Sequence, residues 1–178
     1  MVFKQGDFIK IDFIGREKLT GKIFDLTNKS LVKEEIKIQK ELEPIIVPIG
    51  SKFFLPKLEE SLIGKDTNQK YEITLEPADA YGPKNPKLIQ LFSASNFDTT
   101  KIPLVPGVQL NVGGTIATIK SVNSGRVMLD FNHPLAGKTL TFEIHPIEKI
   151  ENINEKIKTI LSLLFIYFES PAKPKYSE

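Results

Sequence analysis

The sequence predicts an α+β fold that is mostly β: one β-rich domain interrupted by a smaller β module, with an amphipathic helix after the last strand. Three observations predict it. Apolar and polar residues alternate over short stretches, the period of half-buried strands. Clusters of glycine, proline and asparagine separate those stretches. Finally, a strand at 139–150 needs a sheet, and the module at 88–130 is too short to need it. The economical topology inserts the module into the first domain, with the chain returning at 139 to complete the first sheet.

The elements follow in order. "DFIKIDFIG" (7–15) reads as a strand closed by Gly15, and "GKIFDLT" (21–27) as a second strand or its bulged edge. "SLVKEEIKIQKELEP" (30–44) sets Leu31, Ile36, Ile38 and Leu42 among charges and predicts a short helix ended by Pro44. "IIVPIG" (45–50) is a short apolar run in which Pro48 argues for an edge or a bulge. "KLEESLIG" (57–64) predicts an amphipathic helix with Leu58, Leu62 and Ile63 on one face and Gly64 at the C-terminal cap. "QKYEITLEP" (69–77) alternates through Tyr71, Ile73 and Leu75. "ADAYGPKNPK" (78–87) is turn-rich, and "GVQLNVGGTIATIKSVNSGRVMLDF" gives three short strands punctuated by "GG" and "NSG". In "FNHPLAGKTLTFEI" the turn-formers Asn132, His133, Pro134 and Gly137 precede a strand that alternates through Leu140, Phe142 and Ile144. "INEKIKTILSLLFIYF" (153–168) places Ile153, Ile157, Ile160, Leu161, Leu164 and Phe168 on one helical stripe, and the polar tail "ESPAKPKYSE" reads as disordered.

Composition narrows the function classes. The 178 residues are 40% hydrophobic and 26% charged, as in ordinary globular proteins. A net charge of +2, with Arg16 and Arg126 the only arginines, argues against nucleic acid as a partner. The absence of cysteine excludes disulfides, thiol catalysis and cysteine-bound zinc. With only His133 and His145 and no HExxH pattern, no metal site or cofactor is expected. "MVFKQGDFIKIDF" lacks the charged head and apolar core of a signal peptide. The run "ILSLLFIYF" falls short of the ~20 residues that span a bilayer. A soluble cytoplasmic protein is the expectation.

At "FIKIDFIG", "GKIFDLT" and "PIGSKFFLPKLEESLIGKDTNQKYEITLEPADAYG" the chain resembles the FKBP-type peptidyl-prolyl isomerases in order and spacing. The insertion directly after "AYG", closed by "VMLDFNHPLAGKTLTFEI", resembles the SlyD-like subclass, for which "NHPLAGK" is the most specific motif. "SVNSGRV" echoes long archaeal members. The likeness covers roughly residues 4 to 150. It implies a half-open antiparallel sheet wrapped around one short helix. The implied isomerase domain is discontinuous, 1–84 with 132–151. An insert-in-flap chaperone module occupies 85–131, and a C-terminal helix and tail 152–178.

The resemblance implies cis/trans isomerisation of the bond preceding proline, with proline-containing peptides and unfolded or nascent proteins as partners. Carried over position by position, it makes Tyr81, Asp25, Phe24 and Phe142 catalytic, and Phe13, Phe54, Leu55 and Leu58 substrate-binding. Leu58 becomes the floor, Phe24 and Phe142 the walls, the Leu55 N–H the donor to the substrate carbonyl, and Tyr81 and Asp25 the polar contacts near the rotating amide. Without that resemblance a phenylalanine on an alternating strand reads first as core, whereas Tyr81 in a Gly/Pro-flanked turn is more informative. Phe13 stands where the family often has tyrosine, and Leu58 where eukaryotic relatives have tryptophan. Pro56-Lys57 replaces a small-residue step.

A module as small as 88–130 cannot bury all its apolar residues well. Leu110, Val112, Ile116 and Ile119 are therefore the expected chaperone surface, with Val122, Val127 and Leu129 as further candidates, while for any single one of them a place in the module's own core is the reading to beat. The C-terminal stripe is expected to dock on its own domain or pair two copies into a homodimer. Two other readings compete with the enzyme: a catalytically weak binding module on the same fold, motivated by Phe13 and Pro56-Lys57, and a nucleic-acid-associated small-β protein, motivated by pI ≈ 8.6. The latter lacks interleaved aromatic and basic residues.

Overall fold

The computed structural model describes residues 2–28, 30, 42–67, 69–98 and 103–169. The helix expected over 30–44 falls largely on 31–41 and the expected disordered tail on 170–178, both outside the described residues. In chain order the elements are β1 (Phe8–Glu17), β2 (Ile23–Leu26), β3 (Ile45–Pro48), α1 (Pro56–Leu62), β4 (Tyr71–Leu75), β5 (Ile89–Ser93), β6 (Gln109–Val112), β7 (Thr115–Asn123), β8 (Arg126–Asp130), β9 (Leu140–Ile150) and α2 (Ile153–Glu169). They form two compact units, Met1–Ala80 with Lys138–Glu178, and Tyr81–Gly137.

The first unit is built on a five-stranded sheet of order β2-β1-β9-β4, with β3 also paired to β1. All its pairs are antiparallel. β1 is long enough to serve two short partners on one edge: Phe8–Ile11 pair with β3 and Ile14–Arg16 with β2. The core comes from the alternating residues, with Ile9, Ile11, Ile14, Leu26, Leu62, Leu75, Leu140 and Ile144 all fully buried. Two expectations are corrected here. β1 does not close at Gly15 but continues to Glu17, because Gly15 pairs on both sides and ladder hydrogen bonding overrides its turn preference. α1 ends at Leu62; Ile63 turns outward, 47% exposed, and the third residue buried with Leu58 and Leu62 is Glu59, 1% exposed.

α2 is capped by Asn152, whose Oδ1 accepts from the N–H groups of Asn154 and Glu155 at 2.9 and 3.3 Å. Ile160, Leu163 and Leu164 are half-buried, while Ile153, Ile157, Leu161, Phe165 and Phe168 are exposed. No helix among the described residues is long and apolar enough to cross a membrane.

The second unit is a four-stranded antiparallel sheet of order β5-β8-β7-β6. Its hairpins turn on Gly113-Gly114 (φ 57° and 84°) and Ser124-Gly125 (φ 46° and 73°). Two successive positive φ angles match the twist of the flanking strands, which is why "GG" and "NSG" mark these turns. β5 adds a fourth strand to the three expected. Leu110 (5% exposed), Ala117, Ile119 (1%), Val127 and Leu129 form the core of this unit, with Phe92, Phe97, Leu104, Val112 and Phe131 packed around it. Leu110 and Ile119 are therefore not a chaperone surface, and Val112 is half-buried; of the four residues expected there, only Ile116 is exposed, at 62%. The unit also extends beyond 85–131. Lys84 Nζ donates to Asp130 Oδ2 at 2.9 Å, and Asn132 Oδ1 accepts from the Asn85 N–H at 2.8 Å. These bonds tie both flanking segments to the module.

Candidate active site

The first unit gathers its aromatic residues through one cross-strand row and one bulge. Gly15 of β1 lies opposite Asp25 of β2 on one side and Phe142 of β9 on the other, and Phe142 lies opposite Ile73 of β4. The row Asp25–Gly15–Phe142–Ile73 thus crosses four strands on one face. Between Gly15 and Arg16 the β1–β2 register slips, pairing Arg16 with Ile23 and leaving Phe24 as the extra residue. A bulge of this kind re-aims a side chain. The Phe24 ring lies over Gly15, so close that a Cβ there would sit 2.5 Å from Cζ. Only glycine leaves that space. The Phe24 ring meets Phe142 edge-on, centroids 5.7 Å apart at 82°, and the Phe13 ring meets Phe142 at 6.1 Å and 47°. The Phe13 N–H donates to Thr27 Oγ1 at 2.9 Å, and that hydroxyl donates to the buried Asp12 carboxylate at 2.7 Å, fixing β1 against the end of β2. Asp25 Oδ1 accepts from the Leu26 N–H at 2.9 Å.

The loop before α1 is organised by a buried charge. Glu59 Oε2 accepts from the N–H groups of Gly50 and Lys52 at 2.8 and 3.0 Å, and Oε1 accepts from the Phe54 N–H at 3.0 Å and the Ser51 hydroxyl at 3.4 Å. Burying a carboxylate is costly without such donors. Here they hold Lys52 at φ 61°, a conformation rare for a residue with a side chain. Leu55 follows as the N-cap of α1, its carbonyl accepting from the Leu58 and Glu59 N–H groups at 2.9 and 3.1 Å. No described residue accepts from the Leu55 N–H. Leu58 is buried, and Phe54 and Leu55 are half-buried.

Tyr81 belongs to the second unit. Its ring, 39% exposed, stacks on His133, centroids 4.2 Å apart and planes within 1°. His133 Nδ1 accepts from the Leu135 N–H at 3.2 Å, its carbonyl accepts from the Ala136 N–H at 2.9 Å, and partial desolvation of this exposed residue lowers its pKa below the ordinary value. The turn is anchored by Asn132, whose Nδ2 donates to Asp130 Oδ1 at 2.7 Å and the Asn85 carbonyl at 3.0 Å.

The structure thus brings Phe13, Phe24 and Phe142 into ring contact and sets Asp25 on the same cross-strand row; it places Phe54, Leu55 and Leu58 at the start of α1, and Tyr81 in the other unit. Sequence reasoning missed Gly15 and Glu59. Each left a signal. A glycine inside an alternating strand marks a close approach, and Glu59 stands three residues before Leu62, on the apolar face of α1.

Comparison with known proteins identifies the family. The family model for "FKBP-type peptidyl-prolyl cis-trans isomerase" matches residues 2–100, and that for "FKBP26, IF domain" matches residues 90–135. The short-type peptidyl-prolyl cis-trans isomerase of Methanocaldococcus jannaschii is 33% identical over 146 residues, 80% of this chain and 91% of that protein. The FKBP-type 16 kDa peptidyl-prolyl cis-trans isomerase of Escherichia coli K12 is 33% identical over 110 residues, 60% of this chain and 74% of that protein. The SlyD isomerase of Helicobacter pylori is 34% identical over 103 residues, 56% of each. With more than half its length matched by that family model and 80% of it aligned at 33% identity with the Methanocaldococcus jannaschii protein, the chain belongs to the FKBP-type peptidyl-prolyl cis-trans isomerase family.

Proposed function

We propose that the first unit binds a proline-containing segment against Phe13, Phe24, Phe142 and Leu58 and accelerates rotation about the bond preceding proline. The observation that carries this reading is half-buried Phe24 folded over Gly15 against buried Phe142, an aromatic cluster made possible by a bulge and a missing Cβ. The uncatalysed barrier is ~18–20 kcal/mol and comes from amide resonance, which is lost at the twisted midpoint. A site that fits the twisted amide better than either planar form lowers that barrier with no acid, base or nucleophile. Aromatic walls disfavour the charge-separated planar form. The Leu55 N–H donates to the substrate carbonyl, and Asp25 and Tyr81 supply polar contacts. NMR exchange spectroscopy on a proline peptide tests this: the wild type should raise the exchange rate, and Asp25→Ala with Tyr81→Ala should lower kcat/KM by at least ~tenfold. No rate above background in the wild type would leave a binding module on the same fold.

The second unit holds unfolded clients. Leu88, Leu91, Val105 and Ile116 are exposed on it, and β5 and β6 are the outer strands of its sheet. An apolar surface beside an open strand suits an extended peptide. Leu91→Ser with Ile116→Ser should leave isomerisation of a short peptide unchanged and slow catalysed refolding of a whole protein several-fold; equal refolding rates would remove the client role. The exposed stripe of α2 pairs two copies, which a light-scattering concentration series would detect as a mass doubling. The site of action proposed for these activities is the cytoplasm.

A further inference from the structure

The stacked pair of Tyr81 and His133 assigns a role to the turn "NHPLAG". We infer that His133 is a positioning residue: its imidazole is the platform that fixes the Tyr81 ring in the orientation in which it meets substrate. The inference rests on the proposed role of Tyr81. Tyr81 sits in a turn, 39% exposed and flanked by Gly82 and Pro83, where a tyrosine side chain has several rotamers open to it. In the structure the ring lies flat on His133, planes within 1° and centroids 4.2 Å apart, a contact that favours this rotamer. An exposed tyrosine held flat against another ring loses less freedom when it engages a ligand.

The platform is itself fixed. The Leu135 N–H donates to His133 Nδ1 at 3.2 Å, so the proton of the neutral ring resides on Nε2. Asn132 next to it is held by Asn85 and Asp130, and the His133 carbonyl accepts from the Ala136 N–H at 2.9 Å. The Gly137 N–H donates to the Gly82 carbonyl at 2.8 Å, joining the turn to the residue after Tyr81. Both rings are therefore carried by one hydrogen-bonded assembly inside the second unit. A folded turn alone would need only the Nδ1 acceptor. The parallel ring plane is the feature that points to Tyr81.

Two substitutions separate these roles in the intact 178-residue chain. His133→Phe keeps a flat ring and removes the acceptor; His133→Asn keeps an acceptor near Nδ1 and removes the ring. Losing an aromatic stack corresponds to about a two- to tenfold effect. His133→Asn should therefore lower kcat/KM for a proline peptide by about fivefold, while His133→Phe retains most of it. His133→Asn combined with Tyr81→Ala should cost no more than Tyr81→Ala alone. The Tyr81 ring protons, shifted by the imidazole ring current in the wild type, should lose that shift in His133→Asn. Activity kept in His133→Asn and lost in His133→Phe would overturn the inference in favour of the Leu135 hydrogen bond. A normal kcat/KM in Tyr81→Ala would overturn the proposed role of Tyr81, and this inference with it. Loss in Tyr81→Ala with no loss in His133→Asn would overturn this inference alone.

Discussion

The two units contrast in the size of the buried core each builds. The first buries Ile9, Ile11, Ile14, Leu26, Leu75, Leu140 and Ile144 completely, on a sheet whose middle strands are ten and eleven residues long. The second has a buried core of five residues and leaves Leu88, Leu91, Val105 and Ile116 outside it. The difference follows from size, since small domains bury a smaller fraction of their surface. It also fits the division of labour proposed above. A rigid sheet can hold three phenylalanine rings in fixed contact, as a site selective for a twisted amide requires. A thin module with open edges suits extended clients of many sequences.

The largest expected effect breaks the weaker unit. Leu129→Ala removes a fully buried side chain from the five-residue core, a change that costs ~2–5 kcal/mol in well-packed interiors. Amide resonances of 81–137 should collapse toward unfolded positions while those of β1 and β9 keep their dispersion. Loss of both sets together would show that the units do not differ in this way. The next effect falls on the stronger unit. Gly15→Ala places a Cβ 2.5 Å from the Phe24 ring, which must move away from Phe142. Overpacking costs ~1–3 kcal/mol, so the sheet should survive, but kcat/KM should fall at least ~tenfold. An unchanged kcat/KM would separate Phe24 from catalysis.

The smallest effect is electrostatic. Burial pushes the Asp130 carboxyl up, but Lys84 and the two Asn132 donors together outweigh it and hold its pKa below the ordinary 3.8. A carboxylate depressed in the folded state contributes stability above its unfolded pKa and loses it as pH falls through the folded value. The second unit should therefore weaken as pH falls below about 4, and Asp130→Asn should flatten that dependence in an acid titration followed by circular dichroism. Asp7 behaves likewise in the first unit: burial raises it, and Lys149 with the Lys4 N–H and Lys156 brings it below the ordinary value. The substitution should thus remove only the share of the smaller unit.

Much of the fold is legible in alternation and turn chemistry. "GG" and "NSG" mark both hairpins, and the returning strand through Leu140, Phe142 and Ile144 is read as it stands. Alternation, however, gives two faces without saying which is covered. Ile116 and Ile119 lie three positions apart on β7, one exposed and one buried, and Leu110, opposite Ala117 in the β6–β7 pair, is hidden in a core completed by Ile119, Val127 and Leu129 from β7 and β8. The site is legible as a set of residue types and illegible as an arrangement. Phe24 reaches Phe142 through a one-residue register slip, and the loop before Leu55 is shaped by a glutamate that looks like surface charge in the sequence. Both depend on long-range partners.

The contrast rests on the aromatic row of the first unit being where isomerisation occurs. The decisive measurement is the cis/trans exchange rate of a proline peptide with wild type and with Phe24→Leu, which keeps a half-buried apolar side chain and removes the ring. The wild type should enhance exchange well above background, and Phe24→Leu should lose at least ~tenfold of kcat/KM with the sheet intact. Equal enhancement by both proteins, or none by the wild type, would contradict it.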